Sequence, residues 1–377
     1  MNAPVKINPY PLPTGDGAKL GFSARALGYL DTLIREHIAE GRYPGAQIAL
    51  ARHGQLALFR CYGKMSAETG GADVTDRTLF QMFSQTKVFT SACLWTLIEE
   101  GRVSFMDPVA YHLPEFAARG KGAITLHQVM CHMGGFPSAN ITEAAWTDHK
   151  LMRQEVCDFS LDWTPGTRLQ YHPRAAHLVQ AMVIEAVTGK DYRDVIRERI
   201  MAPLGISDDV YVGVPEQEDR RCVTISGDGD EPRDNRRAVR VAGLPGGGGY
   251  GTARGITALY QCLLNKGTLN GQRIVSSRLI EYVAKNQTGE LPDAAMSGIP
   301  MHRGLGPHVR GQSDAIRGLG TIGAPSVFGH GGAGSSYSWA DPTSGVSFTY
   351  MTNHFSGEPW HTLRLDRIAN IVHAAID

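Results

Sequence analysis

Phe83-Ser84-Gln85-Thr86-Lys87 is the stretch on which the reading of this chain turns, and it holds the single Ser-x-x-Lys among 377 residues. It lies where a strand-like run, Phe80–Phe83, meets a helical pattern that continues to Gly101, with Leu94, Leu97 and Ile98 on one stripe. On that helix Ser84 and Lys87 share a face. A serine hydroxyl is a weak nucleophile until a base removes its proton. A lysine one turn away serves as that base once burial or a neighbouring cation lowers its pKa from about 10.4. The competing reading is an N-cap serine followed by a solvated lysine.

Upstream of this stretch, Ser23 caps a helix to about Glu40 with Leu27, Leu30, Leu33, Ile34 and Ile38 on one apolar face. Ala46–Arg52 and Gln55–Tyr62 then read as a hairpin around His53-Gly54. Downstream, helices are expected at Leu126–Met133, Glu143–Val156, Ala175–Thr188, Asp191–Met201, Ala253–Asn265 and Ser276–Asn286, punctuated by Gly and Pro. Strand signals return at Ser326–Gly329, Ser336–Asp341 and Val346–Thr352, and a helix from about Leu363 to Ala375 closes the chain. Strands at both ends around a helical middle indicate an α+β protein. Residues 1–90 and 250–377 would form a sheet domain, 91–249 a helical insertion, and the active site would lie between them.

Lys and Arg together number 37, as do Asp and Glu, so no net charge drives the chain towards nucleic acid or an anionic membrane. Cys61, Cys93, Cys131, Cys157, Cys222 and Cys262 show no zinc spacing and are expected as free, mostly buried thiols. Met1–Thr14 contains Pro4, Pro9, Pro11 and Pro13 without an apolar core, and no run approaches about 18 apolar residues. The expectation is a cytoplasmic protein with no membrane, nucleic-acid or metal partner and no cofactor.

Further motifs follow Ser84 in order. Leu97-Ile98-Glu99-Glu100-Gly101-Arg102-Val103-Ser104, Asp107-Pro108-Val109 and Leu113-Pro114 precede Ile124-Thr125-Leu126 and His132-Met133-Gly134-Gly135-Phe136-Pro137. Trp163-Thr164-Pro165-Gly166-Thr167 leads to Tyr171, Pro203-Leu204-Gly205 follows, and Gly329-His330-Gly331-Gly332-Ala333 stands near the C-terminus. From about Leu20 to Asn353 the chain resembles the serine β-lactamase and penicillin-binding-protein superfamily, class C-like, and above all family VIII carboxylesterases. The resemblance implies a β-lactamase-like fold: an antiparallel sheet flanked by N- and C-terminal helices, with an all-α insertion. It further implies Ser84 as nucleophile, Lys87 as general base and Tyr171 as proton shuttle. The oxyanion hole would be the backbone amides of Ser84 and Ala333, with His330, Gly331 and Gly332 at the substrate. Gly331 and Gly332 suit a strand that passes close to substrate.

Two departures bear on the substrate. In the lactamases the second motif is Tyr-x-Asn, whose amide binds the antibiotic side chain, whereas this chain has Tyr171-His172-Pro173. The third is Lys-Thr-Gly, whereas His330-Gly331-Gly332 stands here, and a neutral histidine is a poor anion anchor and a better hydrogen-bond partner for Tyr171. A small-molecule ester is therefore the expected substrate, through an acyl-enzyme. Relatives that cleave amides or transfer acyl groups are the alternatives. A non-catalytic binding module is the reading from a different class, and intact Ser84, Lys87 and Tyr171 argue against it.

Other features read plainly. Gly243–Gly251 lacks the Gly-Lys-Ser/Thr of a phosphate loop and matches, by the resemblance, a glycine turn near the pocket mouth. No Gly-x-Ser-x-Gly elbow occurs. His172 and His177 have a helix-surface spacing common in non-ligands, and His132 is expected to bond backbone near the pocket. Trp163, Tyr337, Trp339 and Trp360 are acyl-site candidates, with buried packing the default for each. Arg233, Arg236, Arg237 and Arg240 among Asp228, Asp230, Glu231 and Asp234 read as a solvated loop.

Overall fold

The computed structural model describes residues 11–228, 234–314 and 317–376. Most of the proline-rich lead, with Pro4 and Pro9, and Asp230, Glu231 and Arg233 of the charged stretch lie outside the described residues.

Helix α1 (Ala24–Ala39) starts where Ser23 Oγ accepts from Ala26 N at 3.3 Å, and it buries Leu30 and Ile34. Strands β1 (Gly45–Arg52) and β2 (Gln55–Gly63) reverse through His53-Gly54, at φ +53° and +74°, the paired positive angles of a tight hairpin turn. The long helices α2 (Thr86–Glu99), α3 (Ala175–Thr188) and α4 (Ala253–Leu264) follow. The other strands of the main sheet are β3 (His308–Val309), β4 (Phe328–Gly332), β5 (Ser336–Asp341) and β6 (Val346–Thr352), and α5 (Trp360–His373) ends the fold.

The six strands form one antiparallel sheet in the order β2-β1-β6-β5-β4-β3. β1 pairs with β6, placing Ile48 opposite Tyr350, so the two ends of the chain meet in the middle of the sheet. Alternation along β1 separates two faces. Ala46, Ile48 and Leu50 join Phe348 and Tyr350 under α1 and α5, whose Leu30, Ile34, Leu365 and Ile368 complete that layer. Ala49 and Ala51 point the other way, against Ile256 and Leu259 of α4. Small residues there let the helix approach closely.

α2 differs from its expected single stripe, because every residue from Thr86 to Leu97 is buried. It lies against α3 on one side and β4 on another. One apolar cluster runs from Ala49 and Ala51 through Phe89 and Leu94 to Leu178 and Val183, joining sheet and helices in a shared core.

Several sequence expectations change. Glu143–Val156 is two pieces, a 3-10 turn at Glu143–Trp146 and a helix at His149–Cys157, because Asp148 caps Lys150 N and Leu151 N at 3.0 Å and starts a new helix. The strand expected at Ser326–Gly329 runs instead over Phe328–Gly332, and β3, at two residues too short for a periodic signal, had not been expected. The described part of the arginine-rich stretch is no solvated loop. Arg237–Ala242 is a short helix, Arg236 pairs with Asp234 and Glu143, and Arg237 and Arg240 pair with Asp219. Five cysteines are buried and Cys61 half-buried, all free. Among the described residues no helix is long and apolar enough to cross a membrane.

Asn353, fully buried, joins the two ends of the chain: its Oδ1 accepts from Gly45 N at 2.8 Å and its Nδ2 donates to Lys64 O at 3.0 Å. Asn353→Ala strands the buried Gly45 N and the partly buried Lys64 O and should cost about 1–3 kcal/mol in urea denaturation. An unchanged denaturation midpoint would show that this tie contributes nothing.

Candidate active site

Ser84 stands on a 3-10 turn, Phe83–Gln85, that leads into α2. Phe83 holds φ +46°, a left-handed conformation strained for a bulky residue, and its carbonyl accepts from Thr86 Oγ1 at 2.7 Å. The reading of Ser84 as an N-cap fails, since Gln85 occupies that position without a side-chain cap bond. The Ser84 hydroxyl faces two other groups: Lys87 Nζ at 3.0 Å and Tyr171 OH at 2.8 Å.

Lys87 is not solvated; its exposure is 0%. Besides Ser84, its Nζ donates to Pro173 O at 2.7 Å and to Gly246 O. Burial lowers its pKa from the ordinary lysine value, Tyr171 opposes that shift, and Arg303 and Arg174 add to it. Two basic side chains flank the Tyr171 ring, with Lys87 Nζ 5.1 Å and Arg303 Cζ 5.0 Å from its centre. Arg303 is buried and paired with Asp293, itself fully buried. No motif marks Arg303 in the sequence, and only the folded chain brings it to Tyr171.

Histidines brace the tyrosine from behind. His132 Nδ1 accepts from His172 N at 3.0 Å, a backbone bond as expected. His172 Nε2 accepts from Phe136 N at 3.1 Å, so its Nδ1 carries the proton and donates to Gln170 O at 2.7 Å. His172 and His177 lie on no helix surface; both are fully buried, and His177 Nε2 meets Ser91 Oγ at 3.3 Å. The expected hydrogen bond from His330 to Tyr171 is not made. His330 Nδ1 meets Gly331 O at 2.8 Å, and its ring lies 6.1 Å from that of Tyr171 and 4.0 Å from that of His308.

A cavity of about 400 Å³ opens on Ser84. Ala333 borders it beside Ser84, and Phe83, Trp146, Leu178, Val239 and Phe355 contribute apolar walls. His330, Gly331 and Gly332 are not among its lining residues. The glycines also answer a packing need: a Cβ on Gly332 would sit 2.7 Å from Met82 O, and one on Gly331 2.8 Å from the Tyr337 ring. β4 thus presses directly on the turn that carries Ser84. The acyl-site candidates Trp163, Tyr337, Trp339 and Trp360 do not line the cavity; Trp339 follows the default reading, buried and stacked on His373. Leu244 to Gly248 of the glycine turn do line it.

The turns at Ser84 and Ala333 are held from two sides. Gln85 Nε2 donates to Ser336 Oγ at 2.6 Å, and its Oε1 accepts from Ser338 Oγ, tying the residue after Ser84 to β5. Arg364, buried in α5, donates to Gly334 O at 2.8 Å and Ser335 O at 3.1 Å, just beyond Ala333. A second cavity of about 340 Å³, walled by Arg193, Tyr211 and Val241 among others, contains none of these residues. Among the described residues one group has metal-ligand proximity, His149, Glu185 and Asp191, but Arg193 already grips Asp191 and His149 meets Glu185 at 2.6 Å.

Residues 30–373 match the family model described as Beta-lactamase. The esterase/beta-lactamase LipL of Mycobacterium tuberculosis is 27% identical over 311 residues, 72% of this chain and 68% of LipL. A penicillin-binding protein homologue from Caulobacter crescentus has the same fold, with a TM-score of 0.83 at 23% identity over 94% of this chain and 99% of its own. A family VIII carboxylesterase gives 0.80 at 27% identity, over 93% of this chain and 98% of its own.

Burial pushes the pKa of His132, His177, His308 and His330 well below 6.5, and that of His172 down to about 4. Next to burial, Arg303 depresses His132, Lys87 depresses His177 and His330, and His330 depresses His308. Because these folded-state values lie below the unfolded one, the unfolded chain takes up protons first as pH falls. Their stabilisation is full above about pH 6.5 and fades below it, by up to about 1.4 kcal/mol per pH unit for each group. The urea midpoint should drop steadily from about pH 7 to about pH 4.5; a flat profile would contradict burial of these rings in neutral form.

Proposed function

The chain belongs to the beta-lactamase family of hydrolases, and on that premise we propose that it cleaves small to medium carboxylic esters through an acyl-enzyme on Ser84. The observation that carries this reading is the contact of Ser84 Oγ with both Lys87 Nζ and Tyr171 OH, at 3.0 and 2.8 Å, on the wall of an apolar cavity.

The surroundings of Lys87 suit a general base. A neutral amine has two N–H donors and one lone pair. Pro173 O and Gly246 O take the two donors, which leaves the lone pair for the Ser84 hydroxyl. Ser84 Oγ then attacks the ester carbonyl as its proton passes to Lys87. The amides of Ser84 and Ala333 would receive the developing oxyanion, a donor of that kind being worth about 3–4 kcal/mol of barrier. Tyr171, in contact with Ser84 Oγ, is placed to carry the proton to the leaving alkoxide. Water then attacks the acyl-Ser84 by the reverse relay.

Ester over lactam follows from what recognises the substrate. Pro173 carries no amide side chain and commits its carbonyl to Lys87. His330 is buried and held neutral, so it offers no lasting charge to a carboxylate. An alkoxide also needs less protonation to depart than an amine. Slow lactam opening by the same serine is the second reading, favoured by the likeness to LipL, whose name joins both activities.

p-Nitrophenyl esters from acetate to decanoate should turn over, nitrocefin much more slowly, and Ser84→Ala should lower kcat about 10³-fold or more. The kcat/KM profile should rise with pH through a limb set by Lys87, centred below the ordinary lysine value. Faster opening of nitrocefin than of any ester would sink the esterase reading, and full activity in Ser84→Ala would sink the nucleophile.

A further inference from the structure

A second hydroxyl, imidazole and carboxylate are aligned beside the Ser84 cavity. Short strands Ser226–Gly227 and His354–Phe355 pair in parallel, with Ser226 opposite His354. His354 Nδ1 lies 2.8 Å from Ser226 Oγ, and Nε2 lies 3.0 Å from Asp228 Oδ1. A carboxylate only accepts, so the ring proton of neutral His354 belongs on Nε2 and Nδ1 presents a lone pair. The Ser226 hydroxyl is therefore the donor. Its other acceptor, Asn353 O, is farther away at 3.4 Å.

Asp228 is itself fixed in place. Its Oδ2 accepts from Gly357 N at 2.8 Å, and that bond, followed by the one from His354, holds its carboxyl below the usual range. Nucleophile to base and base to orienting group, the contacts are those of an activated serine. Ser226 is half-buried, and the adjoining Ile225 and Phe355 line the cavity that opens on Ser84. Ser226 itself is not among the lining residues, and it adjoins one that is. None of the chemistry proposed for Ser84 uses it.

We propose that Ser226, with His354 as base and Asp228 as the orienting carboxylate, is a second serine nucleophile that accepts acyl or phosphonyl groups from activated esters. In acylation the Oγ–C bond forms, the ester C–O bond breaks, and the Oγ proton passes through His354 Nδ1 to the departing alkoxide. With an alkyl fluorophosphonate the Oγ–P bond forms, fluoride leaves, and the proton stays on His354. The carboxylate of Asp228 is 62% exposed, so water screens its pull on His354, and Ser226 reacts more slowly than Ser84.

The test is fluorophosphonate labelling of the full-length Ser84→Ala protein, located by tandem mass spectrometry. One label per chain is expected, on Ser226. Adding His354→Gln should slow it about 100-fold, and adding Asp228→Asn should slow it about tenfold, in protein whose circular dichroism is unchanged. Folded Ser84→Ala that stays unlabelled at Ser226 would overturn the proposal. So would labelling at the same rate without His354. Either result leaves the Ser84 reading untouched, since that rests on ester turnover by protein with Ser84 intact.

Discussion

The burial of one amine organises this molecule. Lys87 is fully buried, and an amine in such a place is costly unless its polar atoms find partners. Pro173 O, Gly246 O and Ser84 Oγ come from three separate stretches of chain, and all converge on its Nζ. The turn at Ser84, the loop after Tyr171 and the glycine turn at 243–249 must each be in place for the amine to be satisfied. The same burial lowers its pKa, which suits the base role proposed for it.

The sheet supplies the opposite wall. Gly332 approaches Met82 too closely for any side chain, so β4 is pressed onto the turn that carries Ser84. Gln85 and Arg364 then hold the Ala333 turn from the two sides, one from the helix start and one from the closing helix. The two amides that would face an oxyanion thus belong to elements tied together through buried side chains. Exposed loops could not hold that spacing as tightly.

Much of this was legible in the chain before folding. Ser84, Lys87 and Tyr171 stood out through the order of their motifs, and the structure brings Lys87 Nζ and Tyr171 OH within 3.0 Å of Ser84 Oγ. The hairpin at His53-Gly54, the helix capped by Ser23 and the strands Ser336–Asp341 and Val346–Thr352 were visible because each carries a local signal: a turn dipeptide, a cap or a regular period. Where local signals compete, the reading slipped. Asp148 broke a helix whose apolar spacing ran on, and β3 was too short to show a period.

Sequence by itself determined the fold class and the sheet built from both ends of the chain, because motifs and periodicity are properties of neighbours along the chain, and its resemblance to a family singled out Ser84, Lys87 and Tyr171 as candidates. Tertiary structure alone decided what surrounds them: Arg303 against Tyr171, His330 turned to Gly331 O rather than to the tyrosine, and a cavity walled by Trp146 and Phe355 in place of the expected aromatics. The physical reason is that burial, and the direction a side chain takes, depend on contacts between segments hundreds of residues apart, which no local pattern encodes.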